Sequence, residues 1–141
     1  MKDFLQLVLN PGSTSTKLAV FSNMEPAFTE TLRHSSEELA KFSNVIDQFG
    51  YRRELVLGAL QRAGIKPGEL DAVVGRGGLL KPIPGGTYLV NSEMIKDLKT
   101  EHSRTAAYFF SHLVGHSLVN QGRFAVTLFH TAFYLHRVIC I

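Results

Sequence analysis

Residues 10 to 17, Asn-Pro-Gly-Ser-Thr-Ser-Thr-Lys, gather four hydroxyls and a lysine into one short turn. Leu5, Leu7 and Leu9 alternate with other side chains before it, and Leu18 and Val20 alternate after it, so the turn joins two β-strands. Pro11-Gly12 breaks the first strand and lets the backbone turn tightly. Hydroxyls, main-chain N–H groups and the ammonium of Lys17 are all donors, and donors around an open turn suit the oxygens of a polyphosphate. Strand pleating places Ser13, Ser15 and Lys17 on one parity, hence on one side of an extended chain. The plainer reading is a Ser/Thr-rich hairpin turn with no ligand. A Walker A loop is excluded, because there the lysine opens a helix whose N-terminus faces the phosphates, whereas Lys17 opens a strand.

Arg76 is the second candidate. It stands in a loop rich in Gly and Pro that runs from Gly75-Arg76-Gly77-Gly78 to Pro84-Gly85-Gly86. The glycines fit turns as well as they fit a ligand, and Arg76 also reads as a surface arginine paired with a carboxylate. His112 and His116 have the i, i+4 spacing of zinc ligands, but Leu113 occupies the glutamate position of His-Glu-x-x-His and no third ligand follows. They read as helix-face histidines. Cys140, near the end of the sequence, reads as incidental.

The chain has 141 residues, the length of one domain with a real core. No run approaches the roughly 18 to 20 apolar residues of a membrane helix, and the first residues lack the pattern of a signal peptide. One cysteine rules out an internal disulfide and fits a reducing cytoplasm. The net charge of +3 has a location: all 12 Asp and Glu and 12 of the 15 Lys and Arg lie at or before Glu101. Arg104, Arg123 and Arg137 supply the surplus, and three scattered arginines make no nucleic-acid footprint. The last forty residues hold no acid, five of the six histidines and seven of the fourteen Phe and Tyr. That tail is compositionally foreign to the rest.

The elements that must carry these residues follow from spacing. Strands are expected at about 3 to 10, 16 to 22 and 27 to 33. Ser35 and Glu38 form a capping box that opens helical sequence, broken near Ser43 and running to Ala63, with Gly64 at its end. Leu55, Val56, Leu57 and Leu60 make it amphipathic. Residues 70 to 74 read as a short strand, Asn91 or Ser92 as the cap of a helix to about Leu98, 103 to 121 as a helix, and 124 to 129 as a strand. Three strands followed by β-α alternation define an α/β domain with a mixed sheet.

With both glycine-rich loops placed, the sequence resembles the acetate and butyrate kinase family, in its butyrate and branched-chain subgroup. Leu9 to Lys17, Leu32-Arg-His-Ser35, Asp47-Gln-Phe49 and Val73-Val-Gly-Arg-Gly-Gly-Leu-Leu-Lys-Pro-Ile83 carry the resemblance, which covers residues 1 to 102. Acetate kinases have Cys after the Asn in the first loop; here it is Pro11. The resemblance implies a ribonuclease-H-like, actin-like ATPase fold whose first three strands are antiparallel. It also implies reversible phosphoryl transfer from ATP to a short-chain carboxylate (butanoate or a branched acid), giving an acyl phosphate and ADP with Mg²⁺, in a cytoplasmic homo-oligomer. Asn10 would then lie near the metal or terminal phosphate, Gly12, Ser13, Ser15 and Lys17 would form the phosphate hairpin, and Arg76 would meet the carboxylate or the phosphoryl group in flight. An arginine fork and Mg²⁺ would offset the repulsion between two anionic reactants.

Beyond His102 the pattern departs. Residues 1 to 102 are expected to form one of the family's two lobes, and 103 to 141 a divergent or out-of-frame tail, helix then strand, that completes or caps it. Residues 124 to 133 faintly resemble the family strand that delivers a catalytic aspartate, yet contain no Asp. Two functions therefore stand side by side: a carboxylate kinase weakened by truncation, and a non-catalytic nucleotide-binding or assembly module that keeps the hairpin.

Overall fold

The computed structural model describes residues 2–44, 46–76, 86–94, 96 and 124–129, with the backbone alone for Arg76 and for 124–129. The alternating leucines form β1 (Leu5–Pro11), which turns back into β2 (Ser15–Ser22) and then β3 (Glu25–Arg33). β1 and β2 are antiparallel with Leu7 opposite Val20 and Leu9 opposite Leu18. A register shift between Val20 and Phe21 marks the β2–β3 pairing. The turn between them places Asn23 at φ 56°, a left-handed conformation that Asn tolerates, and its side chain accepts the Phe4 N–H at 3.0 Å. β4 (Ala72–Arg76) runs parallel to β1, β6 (Phe124–Phe129) runs parallel to β4, and β5 (Gly86–Leu89) closes the far edge antiparallel to β6. The strand order is β3-β2-β1-β4-β6-β5, a mixed sheet whose first three strands are antiparallel, as expected.

Three expectations shift. The third strand begins at Glu25 rather than 27. The fourth begins two residues late, because Leu70 is held by Pro67 at the end of a 3-10 turn over Pro67–Glu69. β5 arises where the glycine- and proline-rich loop was expected to end; four residues are too few to show a period. The helical stretch divides into α1 (Ser36–Leu39), a 3-10 turn at Ile46–Gln48 and α2 (Phe49–Arg62), with the break where Ser43 and Asn44 interrupt it. The capping box at Ser35 and Glu38 forms, and Gly64 takes φ 72° after α2. Asn91 is the cap of the next turn, its side chain accepting the Met94 N–H at 2.9 Å. The helix expected at 103 to 121, with His112 and His116, and Cys140 lie outside the described residues.

One face of the sheet buries Leu7, Leu9, Leu18, Val20 and Leu32 under Val56, Ala59 and Leu60 of α2. Each such side chain contributes about 1.5 to 3 kcal/mol by leaving water. The buried positions of α2 are Arg52, Val56, Ala59 and Leu60, a stripe at i, i+4, i+7 and i+8. Gln48, also buried, lies one turn before Arg52. The stripe thus continues past the apolar core to the end of the first hairpin. An ion pair from Arg62 to Glu30, 2.7 Å, ties the other end of α2 to β3.

Candidate phosphate-binding site

The turn between β1 and β2 is closed by the Gly12 N–H, which donates to the Ser15 carbonyl at 2.6 Å. A Cβ at position 12 would meet that carbonyl oxygen at 3.4 Å, an ordinary van der Waals contact. Asn10 and Lys17 are direct cross-strand partners, and directly opposed residues share a sheet face. Ser15 is two residues from Lys17 on β2 and lies on the same face, both half-buried, while Thr16 between them is buried on the α2 side. Asn10, Ser15 and Lys17 therefore stand together. Ser13 is exposed within the turn, outside both strands, so the regular alternation assumed from sequence stops short of it. Arg76 ends β4 one position past the Leu9–Gly75 pair, which brings its backbone beside that of Asn10.

The residue that sequence reasoning passed over is Arg52. It is 2% exposed and reaches the turn from below. Its Nη1 donates to the Gly12 carbonyl at 2.8 Å and to the Thr16 hydroxyl at 3.1 Å, with a longer limb of 3.5 Å to the Ser15 carbonyl. Nη2 donates to the Ser13 carbonyl at 3.0 Å, and Nη2 and Nε both reach Gln48 Oε1, at 3.0 and 3.2 Å. Burial pulls its pKa below the ordinary arginine value, and the nearby Tyr51 opposes that. The signal was present: an arginine four residues before Val56, and a glutamine four before that, both on the apolar stripe.

His34 completes the underside. Its N–H donates to the Thr14 carbonyl at 2.9 Å, and its Nε2 lies 2.9 Å from the Thr16 hydroxyl. Burial, then the charge of Arg52, push the imidazole down to about 4, against a smaller upward pull from Glu38. The ring packs edge-on to Tyr51, centroids 5.6 Å apart. Hydrogen bonds from Ser35 and Tyr51 hold the Glu38 carboxyl below its usual range, and burial raises the Tyr51 phenol.

The donor set faces two charges differently. Lys17, the hydroxyls and the turn amides fit phosphate oxygens. For a divalent cation the set is thin: among the described residues no group of three or more His, Cys, Asp or Glu could hold a metal ion, which leaves the Asn10 amide oxygen as one neutral ligand. Mg²⁺ commonly takes one or two carboxylates plus substrate phosphates, and Asn10 offers a neutral amide oxygen in place of a carboxylate.

An antiparallel three-strand start and a parallel β1–β4–β6 centre define an α/β sheet of the actin-like ATPase fold. Solved structures agree on the fold. The acetate kinase of Porphyromonas gingivalis superposes with a TM-score of 0.56 at 18% identity, over 93% of this chain and 38% of its own. That of Entamoeba histolytica gives 0.58 at 13% identity, over 96% and 38%. No family model matches the chain. Sequence relatives are much closer. The N-terminal part is 56% identical over 101 residues to a probable butyrate kinase of Enterococcus faecalis and 53% identical over 93 residues to butyrate kinase 1 of Clostridium acetobutylicum. These matches cover 72% and 66% of this chain but 28% and 26% of the relatives, so the chain spans about a quarter of the length of the proteins it matches. Over that N-terminal part the chain is a relative of the butyrate kinases, within the acetate and butyrate kinase family. Among the described residues no helix is long and apolar enough to cross a membrane.

Proposed function

We propose that residues 1 to 102 form the phosphate-binding lobe of a butyrate kinase, which transfers the γ-phosphoryl group of ATP to butanoate and returns it from butanoyl phosphate to ADP. The observation that carries this reading is the common face of Asn10, Ser15 and Lys17, with the backbone of Arg76 arriving beside Asn10. In it, Ser13, Ser15 and Lys17 bind the phosphates of the nucleotide through hydroxyl, amide and ammonium donors, and Gly12 closes the turn through its N–H. Asn10 lies next to the terminal phosphate and lends its amide oxygen to the metal. Mg²⁺ bound with the nucleotide would supply charge neutralisation. Arg76 meets the acid or the phosphoryl group with a planar pair of donors, which reduces the repulsion between carboxylate and phosphate. Residues 103 to 141 contribute β6 to the sheet and serve to complete the lobe.

The test is a chimera in which residues 1 to 101 replace the corresponding part of the Enterococcus faecalis relative. With ATP, Mg²⁺ and hydroxylamine it is expected to form butanoyl hydroxamate faster than acetyl hydroxamate. A chimera that binds ATP but phosphorylates no short-chain acid would leave a nucleotide-binding module and remove the kinase reading.

A further inference from the structure

We propose that Arg52 is a positioning residue of the phosphate turn: by holding the Gly12 and Ser13 carbonyls on the α2 side of the sheet, it presents the N–H groups of Ser13 and Thr14 to an anion on the opposite side. This rests on the phosphate reading of the turn and extends it to a residue that touches no phosphate.

The argument is one of peptide geometry. In a trans peptide the C=O of one residue and the N–H of the next point in opposite directions, and no cis bond occurs among the described residues. The Gly12 carbonyl lies 2.8 Å from Nη1 and the Ser13 carbonyl 3.0 Å from Nη2. The N–H of Ser13 and the N–H of Thr14 are the reverse sides of those two peptide planes. Each is therefore directed away from the guanidinium. Neither donates to a backbone carbonyl among the described residues. The Thr14 carbonyl is fixed in turn by the backbone N–H of His34 at 2.9 Å, next to the Ser15–Arg33 pair that ends the β2–β3 ladder, so three successive peptide planes are held, two by α2 and one by the sheet. Successive N–H groups converging from a turn make an anion-binding concavity.

Only an arginine suits this position. The two carbonyls, the Thr16 hydroxyl and the Gln48 amide oxygen surround one planar fork, and a lysine ammonium cannot span them. Gln48 fixes the fork from behind by accepting from both Nε and Nη2. The buried positive charge also favours an anion above the turn. The same contact set thus shapes the donors and biases the site toward phosphate.

The experiment compares the 141-residue chain with Arg52→Lys and Gln48→Leu, the latter loosening the fork while leaving Arg52 in place. Backbone order of Ser13 and Thr14 is followed by NMR relaxation without ligand, and inorganic pyrophosphate is then titrated. Arg52→Lys is expected to lower backbone order at these two residues with strand β1 unchanged, and to weaken pyrophosphate by about tenfold or more, as for lost charge-assisted hydrogen bonds. Gln48→Leu is expected to act in the same direction, severalfold, and decides the matter if Arg52→Lys does not fold. A folded variant with wild-type order in the turn and wild-type affinity overturns the role of Arg52. A wild-type chain that binds no pyrophosphate removes the phosphate reading, while the ligand-free backbone order still shows whether Arg52 orders the turn.

Discussion

The Nε2 atom of His34 lies 2.9 Å from the hydroxyl of Thr16, the same hydroxyl that receives Arg52 Nη1 at 3.1 Å. A protonated imidazole here would be stripped of water by burial and would bring a second positive charge beside a buried guanidinium, and Glu38 offsets only part of this. The fold therefore selects the neutral ring. Between its ordinary value of 6.5 and its folded value of about 4, the unfolded chain binds more protons than the folded one, so stability rises with pH. The contribution of the neutral ring is fully present above 6.5 and is lost as the pH falls toward about 4.

Denaturant unfolding at stepped pH is expected to show this as a slope of at most one proton, about 1.4 kcal/mol per pH unit, across that window. His34→Gln removes the titration while keeping a polar partner for Thr16. Glu38, whose carboxyl is held low by Ser35 and Tyr51, loses its own contribution as the pH falls below its ordinary value of 4.5, in both chains. Parallel pH profiles for the two chains would mean that His34 is not held neutral.

Lys17 is expected to supply a large share of phosphate affinity. It pairs with Asn10 across the hairpin and shares the face of Ser15. Lys17→Ala is expected to weaken binding of ATP or inorganic phosphate by about 1 to 3 kcal/mol, the size of one charge-assisted contact. Calorimetric titration of both chains checks it; equal affinities would assign the phosphate to other donors.

How much of this was legible in the sequence depended on period and reach. The leucine alternation of β1 and the Ser35–Glu38 box are local, short-range patterns, and both stand in the fold where the sequence placed them. Ser15 and Lys17 were grouped because a strand's period of two is dependable, while Asn10 came from the family resemblance and joins them through its pairing with Lys17. Ser13 was grouped with them by extending that period into a turn, where it does not apply. Arg52 was missed for a different reason. Its partners, Gly12 and Ser13, lie forty and thirty-nine residues away, and only tertiary packing of α2 brings them together. Polar residues on an apolar stripe, Arg52 and Gln48, were the local sign, and nothing local says what they reach.

Arg76 is best probed in the Enterococcus faecalis chimera, where turnover can be read. Arg76→Lys keeps the charge and loses the planar fork that meets two oxygens at once. Turnover on butanoate is expected to fall at least about tenfold, a loss of about 1.4 kcal/mol in the transition state, with a smaller change in ATP affinity. Unchanged turnover would return Arg76 to a structural role at the end of β4.

The 141-residue polypeptide, expressed by itself, is expected to bind phosphate but to give hydroxamate rates at background with butanoate, ATP and Mg²⁺. Phosphoryl transfer depends on several groups positioned together, and such groups act as a unit, so a subset retains little of the rate. The part shared with the Enterococcus faecalis relative is 28% of that protein, and it holds the proposed phosphate turn and, of the proposed catalytic groups, Arg76. The strand β6, Phe-Ala-Val-Thr-Leu-Phe, brings no acid to the sheet beside β4. Binding without turnover also separates the two halves of the functional reading, since the turn alone suffices for the first. Size-exclusion chromatography coupled to the assay is the check. A monodisperse species of 15.7 kDa with turnover well above background would mean that residues 103 to 141 supply catalytic groups of their own.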